Sequence, residues 1–240
     1  MIDFYKDNEI VAVTCSMIGK NHIDKGLDNQ DSILFKKVSD NRWMLVLADG
    51  VSSARNAKAG SEKAVRTIEE IYDQIVLREK NGLDLDSLKI AIVKTWKSMI
   101  ESDWDEYAST LNFAFAIDNE IVIGQIGDGL IVANIDGETE IFTENEDFYT
   151  TETNALGSAV KKSAFTISTK TIDKFADIYM ASDGIGKEVA DDSRIDMGQY
   201  LSQMLKGEDS QIQKELETWI DGLGRKNGDD KSIGFVRWER

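Results

Sequence analysis

The sequence predicts a layered α+β domain, and three observations carry that expectation. Short apolar runs separated by turn residues come in groups. Other stretches repeat apolar residues every three to four positions, the helical period. These helical stretches arrive in consecutive pairs, not one after each strand, which argues against a doubly wound βαβ sheet.

In chain order, Ile10–Met17, Ser32–Lys37 and Trp43–Ala48 read as strands. From Ala54 to Leu77 the residues Ala57, Ala64, Ile68, Ile71 and Ile75 line one helical face. After a break at Asn81-Gly82, the residues Leu85, Leu88, Ile92, Trp96, Met99 and Ile100 continue that period to about Tyr107. A meander follows, with strands Thr110–Ile117, Glu120–Ile126, Leu130–Ile135 and Thr139–Thr143. Its turns are Asp118-Asn119, Gly127-Asp128-Gly129 and Asp136-Gly137, residues that tolerate positive φ. The polar stretch Glu144–Lys162 reads as a surface loop facing substrate. Strands return at Phe165–Thr171 and Ala176–Ala181, helices at Met197–Leu205 and Ser210–Leu223, and a last strand at Ser232–Trp238.

Composition narrows what such a domain does. The 240 residues carry 28 Lys and Arg against 44 Asp and Glu, a net charge of −16, with 41% hydrophobic residues and no linker-like segment. This suits one folded domain over residues 1–240. So acidic a chain repels phosphate backbones and anionic lipid, which excludes nucleic acid and membranes as expected partners. Apolar runs such as Trp43–Ala48 fall far short of the roughly 20 residues a membrane helix needs. Met1–Asn8 lacks the basic and apolar regions of a signal peptide, and Cys15 has no second cysteine to pair with, so the expected location is the cytoplasm.

One His and one Cys also rule out zinc sites built from several such ligands. A Ser-His-Asp triad would need His22, and no GxSxG elbow accompanies it. Any metal site must be mostly carboxylate, which selects hard ions such as Mg²⁺ or Mn²⁺. Five Asp-Gly pairs occur, at Asp49, Asp128, Asp136, Asp183 and Asp221. Asp136 reads as a hairpin turn and Asp221-Gly222 as a helix end. Asp84 reads as a helix start. Asp49 and Asp183 differ, because each ends an apolar strand without a partner strand returning directly. Asp31 opens a strand and Asp229 precedes the last one, so four acidic strand ends make a plausible two-metal cage, a cation offsetting their mutual repulsion.

Asn29-Gln30-Asp31-Ser32, Ala48-Asp49-Gly50-Val51, Gly127-Asp128-Gly129, Ser182-Asp183-Gly184 and Asp229-Asp230-Lys231-Ser232 together resemble the ordered motifs of the metal-dependent type 2C (PPM) protein phosphatases, in a divergent bacterial branch. Thr110-Leu111 and Ala155-Leu156-Gly157 also match that family's habits, and the likeness spans about Val13 to Val236. The resemblance implies a four-layer α-β-β-α sandwich of two antiparallel sheets flanked by helix pairs. It implies a phosphoserine/phosphothreonine phosphatase that uses two Mn²⁺ or Mg²⁺ ions and a metal-bridging hydroxide, with no covalent phosphoenzyme. Carried over by motif, Asp49 bridges both ions, Gly50 offers its carbonyl, Asp183 and Asp229 complete one site, and Asp31 acts partly through water. Asp128 matches the acid of a third, weaker ion, with a plain hairpin turn as the competing reading.

Where relatives carry Glu, this chain has Gln30, and it has Ser52-Ser53 in place of Gly-Gly. The phosphate-binding Arg usual before the first motif is missing; Lys25 or His22 is the expected substitute, and His22 reads equally as an ordinary surface imidazole. The expected partner is a phosphoprotein, a Ser/Thr kinase or its target, met by a monomer. The alternative is a catalytically silent module of the same fold that binds a phosphoprotein or signalling partner.

Overall fold

The computed structural model describes residues 2–78, 84–143, 154–205, 207–223 and 228–240. Its strands form two antiparallel sheets. One has the order β1 (Ile2–Lys6), β2 (Ile10–Met17), β11 (Lys231–Glu239), β10 (Phe175–Ala181), β7 (Leu130–Ile135) and β8 (Glu138–Phe142). The other runs β3 (Asp31–Ser39), β4 (Arg42–Asp49), β5 (Leu111–Ile117), β6 (Glu120–Ile126) and β9 (Thr166–Thr171). Two short helices, α1 (Lys20–Lys25) and α4 (Asp183–Gly186), and four longer ones, α2 (Ala57–Arg78), α3 (Leu85–Ser98), α5 (Arg194–Met204) and α6 (Asp209–Leu223), are the α-helices among the described residues.

Strand periodicity explains the layering. In β4, Trp43, Leu45 and Leu47 point to the opposing sheet, while Met44, Val46 and Ala48 pack under α2 and α3. In β11, Val236 and Trp238 face the same inner layer, and Ile233 and Phe235 pack under α5 and α6. Trp43 and Trp238 meet edge to face across the sheets, 5.9 Å between centroids. Gly234 lets the sheets close, since a Cβ there would lie 2.8 Å from the Leu45 side chain. The result is the four-layer α-β-β-α sandwich.

Several elements depart from the expectations. The second helix ends at Ser98, not near Tyr107, because Asp103 caps a separate 3₁₀ turn at Trp104–Tyr107. α2 begins at Ala57, since the amides of Ala54 and Asn56 bond to Val51 and Glu106 in the preceding loop. β1 and α1 were not expected: β1 is a half-exposed edge strand, and α1 buries only His22, so neither carries a strong apolar period. Gly222 lies inside the last turn of α6 with no left-handed φ, so it is not a helix cap. Asp136 and Gly137 do take positive φ, 53° and 95°, as a β7–β8 hairpin requires. Asn81-Gly82 and residues 144–153 of the expected surface loop lie outside the described residues.

The main correction concerns Gly127-Asp128-Gly129. β6 pairs with β5 and β9, and β7 pairs with β10 and β8, so this segment is no hairpin: it carries the chain from one sheet to the other. Among the described residues no helix is long and apolar enough to cross a membrane.

Candidate metal centre at the strand ends

The acidic residues lie where strands of both sheets end at one edge of the sandwich. Asp31 opens β3 and Asp49 closes β4, and the two are direct cross-strand partners. The Asp49 amide donates to Thr110 Oγ1 at 3.0 Å, and its carbonyl accepts from the Thr110 amide and Ser109 Oγ. This clamps the end of β4. Gly50 follows, its amide donating to the Gln30 carbonyl; a Cβ here would sit 2.2 Å from the Ala57 carbonyl oxygen, so no side chain fits.

From the opposite sheet, β10 leads through Ser182 into α4, which begins at Asp183. Gly184 lies against β11, where a Cβ would be 2.0 Å from the Asp230 carbonyl. Ser182 Oγ donates to Asp31 Oδ2 at 2.8 Å and accepts from the Ser232 amide, tying β3, β10 and β11 together. Ser16 extends the network, bonded to Ser232 and to Asn29.

Asp230, next to the expected ligand Asp229, organises the floor. Its carboxylate accepts from the Gly19 amide at 2.6 Å and the Gln30 amide at 2.6 Å, and His22 Nδ1 lies 2.7 Å away. His22 is therefore not a surface imidazole: it is 6% exposed and holds a carboxylate from below. Sequence reasoning missed this role of Asp230; the doubled Asp229-Asp230 was the available signal. Lys25 stands exposed in the last turn of α1. Asp128 reaches Asp183 indirectly, since both carboxylates bind the Lys187 ammonium.

The electrostatics match a crowded acidic site. Burial, opposed by hydrogen bonds from Ser232 and Ser182, and the charges of Asp230 and Asp183 push the Asp31 carboxyl up to about 7. Asp49 is raised well above 3.8 by burial, then by the nearby charges of Asp31, Asp183 and Asp229. Asp229 is raised by burial and by the Asp183 charge. Buried oxygens lack partners here: Asp31 Oδ1, Asp183 Oδ1 and Gln30 Oε1 accept no hydrogen bond. Among the described residues no three His, Cys, Asp or Glu side chains are placed so that together they hold one ion. The donors nonetheless suit a hard divalent cation: they are all oxygen, mutually repelling and partly unsatisfied. Asp49, Asp183 and Asp229, with Asp31 and the Gly50 carbonyl, are the groups that could hold it.

A family model described as "Protein phosphatase 2C" matches residues 18–221. The chain belongs to the protein phosphatase 2C family. No curated protein matches it in sequence. In fold this family member is similar to RsbX in complex with magnesium, TM-score 0.66 at 15% identity over 100% of both chains. It is likewise similar to the catalytic domain of the serine/threonine phosphatase PstP in complex with 2 manganese ions, TM-score 0.62 at 17% identity over 96% of this chain and 98% of that one. The S. agalactiae serine/threonine phosphatase is similar at TM-score 0.63 and 17% identity, over 95% of this chain and 98% of that one. At these identities the likeness is one of fold. The phosphatase 2C membership accounts for the order of the acidic motifs along the chain.

Proposed function

We propose that residues 1–240 form one catalytic domain of a Mn²⁺- or Mg²⁺-dependent phosphoserine/phosphothreonine protein phosphatase. One observation carries this reading: carboxylates from the ends of β3, β4, β10 and the start of β11 act on one another and leave buried oxygens of Asp31 and Asp183 unsatisfied. In a member of the phosphatase 2C family, Asp31, Asp49, Asp183 and Asp229 would be the groups that hold two divalent ions. The chemistry such ions supply is Lewis acidity, which makes water nucleophilic near neutral pH and offsets charge on phosphoryl oxygens.

The chain's own residues then do the positioning. Thr110 and Ser109 hold Asp49; Ser182 and Ser232 hold Asp31; Asp230 ties the α1 loop and the start of β3 to β11. With His22 committed beneath Asp230, Lys25 is the better candidate to receive the substrate phosphate. Its ammonium offers a point charge in place of an arginine fork. The expected partner is a phosphoprotein, a Ser/Thr kinase or its target.

Hydrolysis of para-nitrophenyl phosphate across a Mn²⁺ titration, with chelator and Asp183→Asn controls, tests the proposal. Turnover that requires Mn²⁺ and is lost in both controls supports it. Tight Mn²⁺ binding with no turnover on the small ester or on a phosphopeptide panel would favour the silent module.

A further inference from the structure

Lys187 makes the shortest ion pair at the candidate centre, and the family's ordered motifs do not account for it. Its Nζ lies 2.8 Å from Asp128 Oδ2 and 2.6 Å from Asp183 Oδ2, so one ammonium spans both carboxylates. Both ends of the bridge are held by backbone. Lys187 follows α4, its amide donating to the Asp183 carbonyl at 3.0 Å, which places its side chain one helical turn beyond Asp183. Asp128 sits between Gly127, at φ +106°, and Gly129, where a Cβ would lie 2.0 Å from Asn112 Nδ2. Neither position accepts a side chain without strain.

We propose that the Lys187 ammonium is a tethered cation that fills the gap between Asp128 and Asp183, so that the centre takes two divalent ions and none at Asp128. The inference deepens the two-ion reading above and rests on it. A divalent ion held between these carboxylates, roughly 2.0–2.2 Å from their oxygens for Mg²⁺, would sit against the Lys187 ammonium, and like charges that close repel strongly. The two cations therefore exclude each other. The bridge also divides the Asp183 carboxylate: Oδ2 goes to Lys187, and Oδ1 is buried without a hydrogen-bond partner. Lys187 is thus a positioning residue that acts through Asp183.

Mn²⁺ calorimetry on the full chain, with electron paramagnetic resonance counting bound ions, tests this without reference to turnover. The wild-type chain is expected to take two ions, and Asp128→Asn to leave that number unchanged. Lys187→Asp exchanges the ammonium for a third carboxylate and is expected to take three ions, returning to two when Asp128→Asn is added. Should Lys187→Asp fail to fold, Lys187→Met removes the charge at similar length and should admit a weaker third ion that Asp128→Asn abolishes. A wild-type chain that binds three ions and loses one with Asp128→Asn would overturn the tethered cation while leaving the cage intact. A folded Lys187 variant that still takes two would overturn it equally. A wild-type chain that binds no Mn²⁺ would sink the cage reading itself, and the tethered cation with it.

Discussion

Asp31 and Asp49 are directly opposite each other across β3 and β4, two carboxyls at the mouth of one strand pair. Like charges in opposed positions destabilise a sheet. Both carboxyls are held above their ordinary range by burial and by neighbouring charge. The pair is therefore costly to the ion-free fold and favourable once a cation lies near it.

Asp49→Asn should abolish two-ion binding in calorimetry and reduce Mn²⁺-dependent turnover by more than about 100-fold, the upper range for residues that only support a metal. Circular dichroism should stay nearly unchanged, because a neutral amide relieves repulsion. Retained stoichiometric binding would remove Asp49 from the bridging role.

The pH dependence of the ion-free chain follows from Asp31. Its folded pKa of about 7 lies above the ordinary 3.8. A carboxyl raised in this way stabilises the fold fully below its unfolded pKa, and that contribution is lost as pH rises through the folded value. Asp49 and Asp229 act in the same sense. Asp105 and Asp136, held below their ordinary value, contribute in the opposite sense below that window. The Tm of the ion-free chain should fall between about pH 4 and 7, Asp31→Asn should flatten the fall, and Mn²⁺ should raise Tm more at about pH 8 than at about pH 5. A Tm that climbs over this range in the absence of metal would contradict the assignment.

Asp230→Asn keeps one acceptor oxygen but removes the charge that Gly19, Gln30 and His22 share. Urea unfolding should show a loss of about 1–3 kcal/mol, with Mn²⁺ affinity weakened about 10–100-fold. His22→Ala should lower stability in the same assay, since it leaves Asp230 partly unpaired. A His22→Ala chain of unchanged stability would return His22 to the reacting side of the site.

Lys25→Ala should raise KM by roughly tenfold with kcat nearly unchanged, the loss expected for one charged hydrogen bond. Kinetics identical to wild type would remove Lys25 from the phosphate-binding role.

Two glycines with opposite surroundings separate packing from flexibility. Gly50→Ala should cost about 1–3 kcal/mol and weaken Mn²⁺ binding, because its Cβ would overlap the Ala57 carbonyl. Gly222→Ala, in open space on α6, should gain about 1 kcal/mol from helix propensity alone. Thermal or urea unfolding reads both.

The sequence by itself determined every strand but β1, the longer helices in their pairs and the acidic positions at strand ends, because apolar period and Asp-Gly signals are local. β2 is found at Ile10–Met17 as expected, and the motif order leads to the phosphatase 2C family. Tertiary structure alone decided the rest. The Gly127-Asp128-Gly129 turn reads as a hairpin locally, and only the pairing of β6 and β7 in different sheets makes it a crossover. His22 lies far along the chain from Asp230, and no local pattern predicts that an imidazole on a polar helical turn will be buried beneath that carboxylate. Nothing local to Lys187 marks it either; only the fold sets Asp128 beside Asp183 and gives its ammonium two carboxylates to span. Strands and helices follow from forces between near neighbours in sequence, whereas a charged site is set by which distant ends the sandwich brings together.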